Sequence, residues 1–232
     1  MLSSNYALGL ASMAFIGGVA SAPALGRRAE AGCSTYVIVN ARGTSEHGDS
    51  PSLVPMNQQI LSAVPGGTIY DVNYPADPDQ QTASGTADVV RFVTATLNSD
   101  PSTCFILDAF SQGSTVITDA LPRLTGAAYE AVKFVYLLGN PEHNPNLPCN
   151  VDEKGGSSTA GASGQIAEKG RVPSNWYSKT RDVCYTGDGV CDRSATPNKG
   201  FPGAITPAHG KYGSTASVQS MGLQAAIRAL QG

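Results

Sequence analysis

Cys104-Phe-Ile-Leu-Asp-Ala-Phe110-Ser111-Gln112-Gly113 is an apolar run that ends abruptly in a Ser-Gln-Gly turn. Residues 104–109 have the composition of a buried strand, and residues 112–121 carry apolar side chains at helical spacing. A strand, a sharp turn holding a serine, then a helix make the signature of a nucleophile elbow. The turn lifts the serine oxygen above the sheet edge, and the first amides of the helix point at any carbonyl that approaches it. The usual pattern has glycine two residues before and two residues after the serine; here Gly113 is in place and Ala109 stands at the other position. Taken alone, Ser111 fits a structural helix N-cap equally well.

Outward from the elbow, apolar runs at 36–40, 68–72, 134–138 and 182–185 also read as strands. They alternate with segments of helical period at 53–64, around Val89, Val90, Val93 and Leu97, and at 217–230. Such alternation needs long right-handed crossovers and therefore parallel strands. The expected fold is α/β, a three-layer sandwich whose ligands bind beyond the carboxyl ends of the strands. Residues 155–164, Gly-Gly-Ser-Ser-Thr-Ala-Gly-Ala-Ser-Gly, have no large apolar side chain and read as a flexible surface insertion in a single domain.

Composition excludes several function classes. Charged residues are 14% of the chain, with 15 basic against 18 acidic, and no block of Lys or Arg occurs, so a nucleic-acid partner is not expected. No run of about 18 apolar residues exists, so no membrane span is expected. Near the start, an apolar stretch from Leu8 to Val19 leads into Ala20-Ser21-Ala22, a small-residue cleavage pattern. Residues 1–22 therefore read as a secretory signal and 23–32, with its Arg27-Arg28 pair, as a candidate pro-segment ahead of a domain at 33–232. Secretion permits disulfides. Of the five cysteines, Cys184 and Cys191 bracket a short loop, and Cys33 and Cys104 each open a strand-like run, so adjacent parallel strands would bring them within bridging distance. That leaves Cys149. No Cys-x-x-Cys occurs and His47, His143 and His209 are scattered, so neither a metal nor a cofactor is expected.

The order of the remaining polar residues strengthens Ser111. Asp188 lies after the last strand, inside the Cys184 to Cys191 loop, and His209 follows in Thr206-Pro-Ala-His-Gly, which gives the order Ser, acid, His. A carboxylate on a rigid loop suits the group that orients an imidazole. His143 precedes the acid in the chain and is the less favoured candidate for the base; His47 sits in a polar loop. For an oxyanion, Gln112 supplies the amide after the serine. Ala41-Arg-Gly-Thr-Ser-Glu46, after the first strand, offers Thr44 with an amide and a hydroxyl.

Four segments in this order, residues 41–46, 110–113, 186–191 and 205–209, resemble the cutinase family of secreted serine esterases, which is related to fungal acetylxylan esterases. The resemblance implies a small, lidless α/β-hydrolase with a five-stranded parallel sheet. It implies Ser111 as nucleophile, Asp188 as acid, His209 as base, Thr44 and Gln112 as oxyanion hole, and the bridges Cys33–Cys104 and Cys184–Cys191. Ala109 and the long 139–172 region depart from the family pattern. The apolar Phe201, Pro202, Ile205 and Pro207 before His209 favour a lipid polyester or other apolar ester as substrate for a monomeric enzyme. Asn73-Tyr-Pro-Ala76 is the hint of an acetylxylan-type alternative. A weakly catalytic secreted binding protein, using Cys149 and the polar insertion, is the third reading.

Overall fold

The computed structural model describes residues 1–2 and 32–232. The signal reading at 1–22 and the pro-segment reading at 23–32 fall, apart from residues 1, 2 and 32, outside the described residues. The sheet is parallel throughout, in the order β2-β1-β3-β4-β6-β5. Its strands are β1 (Tyr36–Ala41), β2 (Gly67–Asp71), β3 (Cys104–Phe110), β4 (Val132–Leu138), β5 (Asn150–Val151) and β6 (Thr180–Val183). Six strands replace the five expected. The addition, β5, is a two-residue edge that pairs Asn150 with Asp182 and Val151 with Val183, too short to carry a periodic signal.

Both sheet faces are apolar, as a parallel sheet covered on both sides requires. Val37, Val39, Phe105, Leu107, Val135 and Leu137 pack with residues of α2 (Ala83–Ser99) and α3 (Gln112–Ala120). The alternate side chains Tyr36, Ile38, Ile106, Tyr136 and Leu138 pack with α1 (Val54–Ala63) and α5 (Ala216–Gln231). A single turn, α4 (Ala127–Ala131), leads into β4. The three layers are those expected from the sequence, and no helix of the described residues is long and apolar enough to cross a membrane.

The α1 face has one polar interruption. Asn40 pairs in register with Asp71 on one side and Asp108 on the other. Asn40 Nδ2 donates to Asp71 Oδ1 at 2.8 Å. Asp108 is fully buried, and neither of its carboxyl oxygens has a hydrogen-bond partner among the described residues. Burial pushes its pKa up to about 8; Asn57 offsets part of this and Asp71 adds to it.

Two bridges close the framework. Cys33 and Cys104 join the starts of the neighbouring strands β1 and β3 with Cα atoms 6.0 Å apart, and Cys184 and Cys191 close their loop at 5.6 Å. Cys149 is free and completely buried. Burial, with the charge of Asp182, pushes its thiol up to about 12. This removes it as an interaction feature, because an inaccessible, protonated thiol has no surface chemistry.

The 155–164 insertion is tied down rather than loose. Asp152 accepts from the backbone N–H of Lys154 and Gly156 (both 2.8 Å) and from the hydroxyl of Ser158 (2.7 Å). Burial opposes its charge, yet Ser158 and these amides hold the carboxyl down to about 2. Thr159 Oγ1 donates to the Cys184 carbonyl at 2.8 Å and Asn146 N–H to Ala160 O at 2.7 Å. Small residues serve here because the turns lie close to their own anchors, a cause that composition alone does not separate from flexibility.

Candidate active site

The elbow is built by backbone strain and one close approach. Ser111 sits at φ 53°, ψ −122°, a conformation that non-glycine residues rarely adopt, between the end of β3 and the first turn of α3. Its N–H donates to Leu138 O at 2.8 Å, which fixes the turn against β4. Gly113 allows α3 to press on β1: a Cβ there would stand 2.0 Å from the carbonyl oxygen of Ala41. Ala109, the departure from the family pattern, is wholly buried, in register between Ala41 and Leu137, and its methyl belongs to the core on the α2 and α3 side of the sheet.

Three loops beyond the strand ends complete the arrangement. Ser111 Oγ lies 2.9 Å from His209 Nε2. On the other side of the ring, His209 Nδ1 is 2.9 Å from Asp188 Oδ2 and 3.0 Å from Oδ1. His209 is held by the short 3-10 turn Pro207–Gly210, with Phe110 stacked on its ring at a centroid distance of 4.8 Å. Asp188 is fully buried inside the bridged loop, and its Oδ1 accepts the Val190 N–H at 2.9 Å. Gly139, at φ 59°, lies directly beneath the pair, where a Cβ would be 2.9 Å from His209 Cε1 and 3.1 Å from Asp188 Oδ2.

Tyr212 is a member of this site that sequence reasoning missed. Its hydroxyl donates to Asp188 Oδ2 at 2.6 Å and accepts the Tyr185 N–H at 2.9 Å. That amide directs the phenol proton at the carboxylate. Burial, then Asp188, pushes the phenol pKa well above its ordinary value, so it remains a donor. A tyrosine three residues after the histidine is the only sequence signal, and nothing in it separates Tyr212 from other core tyrosines.

The segment 42–46 is braced from below. Arg42 donates from Nε to Glu46 O (2.7 Å), from Nη1 to Val72 O (3.1 Å) and from Nη2 to Tyr74 O. Tyr74, almost fully buried, returns a hydrogen bond from its hydroxyl to Arg42 O. Gly43 N–H donates to Glu46 Oε2 at 2.6 Å, and Thr44 Oγ1 accepts from Gln80 Nε2 at 2.9 Å. Because that contact occupies only a lone pair, the Thr44 hydroxyl proton remains free to donate. Gln112 begins α3, its side chain anchored by Nε2 to Asp77 O at 3.1 Å.

Of the other histidines, His143 is buried 3.0 Å from Asp182 Oδ1. Burial lowers its pKa but Asp182 outweighs this, so the net shift is upward. It pairs with Asp182 as part of the fold, and His47 is exposed. A cleft of about 300 Å³ opens at Ser111, and its lining includes Thr115, Pro141, Ile166, Val190, Phe201 and Ala204. The 139–172 segment forms a wall of this cleft rather than a lid and contains no helix. Of the four residues expected on the apolar rim only Phe201 lines the cleft; Pro202 and Pro207 are exposed, and Ile205, 48% exposed, does not line it.

A doubly covered parallel sheet carrying a serine, an imidazole and a carboxylate in hydrogen-bonded series at its carboxyl edge defines the class of α/β serine hydrolases. Within that class the model of the cutinase family matches residues 32–224, and the chain belongs to the cutinase family. A cutinase-like protein from Cryptococcus sp. has a similar structure, with a TM-score of 0.81 and 45% identity, covering 87% of this chain and 97% of that one. Carboxylesterase Culp1 of Mycobacterium tuberculosis is 31% identical over 177 residues, 74% of this chain and 75% of that protein. Acetylxylan esterase 2 of Talaromyces purpureogenus is 26% identical over 231 residues, 88% of this chain and 91% of that protein. The protein is a serine esterase, a carboxylic ester hydrolase.

Proposed function

We propose that Ser111 is the nucleophile, His209 the general base and acid, and Asp188 the group that orients the imidazole, with the amides of Gln112 and Thr44 receiving the oxyanion. The observation that carries this is the unbroken series Ser111 Oγ, His209 Nε2, His209 Nδ1, Asp188, with every link at 2.9 to 3.0 Å. Neutral His209 takes the Ser111 proton as Oγ bonds to the ester carbon, then gives that proton to the leaving alcohol as the acyl-enzyme forms. Water then attacks the acyl-enzyme by the same route in reverse, releasing the carboxylic acid and restoring Ser111. Negative charge on the carbonyl oxygen is met by preorganised N–H groups, the largest single contribution in such reactions.

The substrate we propose is an apolar aliphatic ester, including polyester of the lipid kind. Phe201, Ala204, Val190 and Ile166 along the cleft support an aliphatic chain, each buried methylene contributing about 0.8 kcal/mol. The acetylxylan alternative is less well supported, because Tyr74, the aromatic in its best sequence hint, faces inward against Arg42 and offers no sugar platform. We also propose secretion through residues 1–22 with a pro-segment at 23–32, supported by the two disulfides. Monomeric action is supported by the scarcity of exposed large apolar side chains, which among the described residues are Met1, Leu2 and Ile205.

Ser111→Ala tests the chemistry. Turnover should fall by up to about 10⁶-fold with melting unchanged, and an alkyl phosphonate should label Ser111 alone. Label on another serine would sink the assignment. A panel of four- to eight-carbon fatty esters, polyester film and acetylated xylan tests the substrate, and faster turnover of the xylan would replace the aliphatic reading.

A further inference from the structure

The cleft that leaves Ser111 is not apolar to its end. Ser111, Thr115 and Asp119 are spaced four residues apart, so they follow one face of α3. Eight residues of helix rise about 12 Å, about the reach of an extended ten-atom chain. All three line the cleft, and so do Glu142 and Lys169. Glu142 is only 2% exposed and its Oε2 is buried with no hydrogen-bond partner among the described residues. Its carboxyl packs on Gly170, where a Cβ would stand 2.4 Å from Oε2, so the chain leaves this acid its place against the cleft wall. Asp119 is half-buried and near enough to act on Glu142, whereas Lys169, which is exposed, offsets burial and the neighbouring carboxylates only in part.

We propose that Asp119 and Glu142 make the far end of the cleft a charge filter: neutral chains that reach it are accepted, and chains bearing a carboxylate there are rejected. This rests on the esterase chemistry above and adds the substrate class to it. A neutral chain, whether it ends in a methyl, a hydroxyl or a further ester, loses little on entering. A carboxylate must shed water beside groups of its own sign in a partly dry site. The groups around Glu142 are Asp119 from α3, Asp182 from β6, and Lys169 and Glu168 from the adjoining turn, with His143 next in the chain but paired to Asp182. Burial first, then Asp119 and Asp182, pushes the Glu142 pKa up to about 8. The filter therefore gains a buried negative charge as pH rises through that value.

The test compares charged and neutral esters of matched length. On the acyl side, the 4-nitrophenyl monoester of octanedioic acid is set against its methyl-capped form. On the alcohol side, acetylated 8-hydroxyoctanoate is set against its methyl ester. In at least one arm the wild-type enzyme should favour the neutral ester in kcat/KM by at least about tenfold at pH 9 and several-fold less at pH 6.5, where Glu142 keeps its proton. Glu142→Gln and Asp119→Asn should each narrow the pH 9 ratio. Should Glu142→Gln fail to fold, Asp119→Asn, at the half-exposed position, decides alone. A ratio unmoved by the variants in both arms, or a preference for the carboxylate, overturns the filter. Loss of all turnover of the neutral esters by wild type would instead overturn the esterase chemistry, and the two failures are distinct.

Discussion

Asp188 and Asp108 are both completely buried carboxyl groups near the same sheet, and their surroundings are opposites. Asp188 receives the Val190 amide, the Tyr212 hydroxyl and the imidazole of His209. Asp108, in the middle of β3, has no hydrogen-bond partner for either oxygen among the described residues and keeps its proton up to about pH 8. A strand commits its backbone amides to its neighbours and leaves none for a side chain. A bridged loop has amides to spare. The same residue type thus meets three hydrogen-bond partners at the strand ends and none in the strand interior, where burial favours its neutral form.

The comparison breaks most sharply at Asp188. Asp188→Asn should cut kcat by about 10⁴-fold, because an amide favours the wrong imidazole tautomer; a loss under tenfold would mean that the loop does not orient His209. A smaller effect comes from beneath the pair, where Gly139→Ala forces a methyl against His209 and Asp188. The resulting shift should cost about 10²-fold in kcat, and unchanged kinetics would show that the backbone yields without moving the ring. Tyr212→Phe removes one donor of three and should cost about tenfold in kcat/KM, roughly the 1.4 kcal/mol equivalent of a hydrogen bond to a charged group. The check is a comparison with Asp188→Asn/Tyr212→Phe, in which the added loss should vanish.

Asp108→Asn should leave turnover within about twofold and act on stability instead. The folded-state pKa of about 8 lies above the ordinary 3.8, so the folded protein holds a proton that the unfolded chain releases. Between those values each pH unit costs the wild type up to about 1.4 kcal/mol. The variant should therefore gain Tm relative to wild type progressively from pH 4 to pH 8, and show little difference near pH 4. A gain that is the same at both pH values would mean that the proton is not the cause.

Much of this was legible in the chain. Five strands and four helices announce themselves because parallel strands buried on both faces read as solid apolar runs, and the elbow combines such a run with Ser111 and Gly113. Asp188 and His209 stood out through their loops and their order. What escaped was set by tertiary proximity. Tyr212 and Glu142 look like ordinary residues until the chain brings them to Asp188 and to the cleft. Asp152 organises the 155–164 turns through backbone amides that have no letter of their own. The two-residue β5 is decided by its partner β6 rather than by any pattern within itself.

The Cys33–Cys104 bridge spans 71 residues, and the chain-entropy model assigns such a closure about 4 kcal/mol. Beside it, the Cys33 N–H donates to Leu230 O at 2.7 Å, so the opening of the domain lies against the last turn of α5. This junction is at the amino ends of the strands, while Ser111 stands at their carboxyl ends, a strand length of about 20 Å away. The geometry suits immobilisation: a tether at either side of the junction would anchor the enzyme by its base and present the cleft outward. For the same reason, a peptide linker joining residues 231 and 33, with new ends opened in an exposed turn, should yield a circular permutant that keeps its catalytic edge intact.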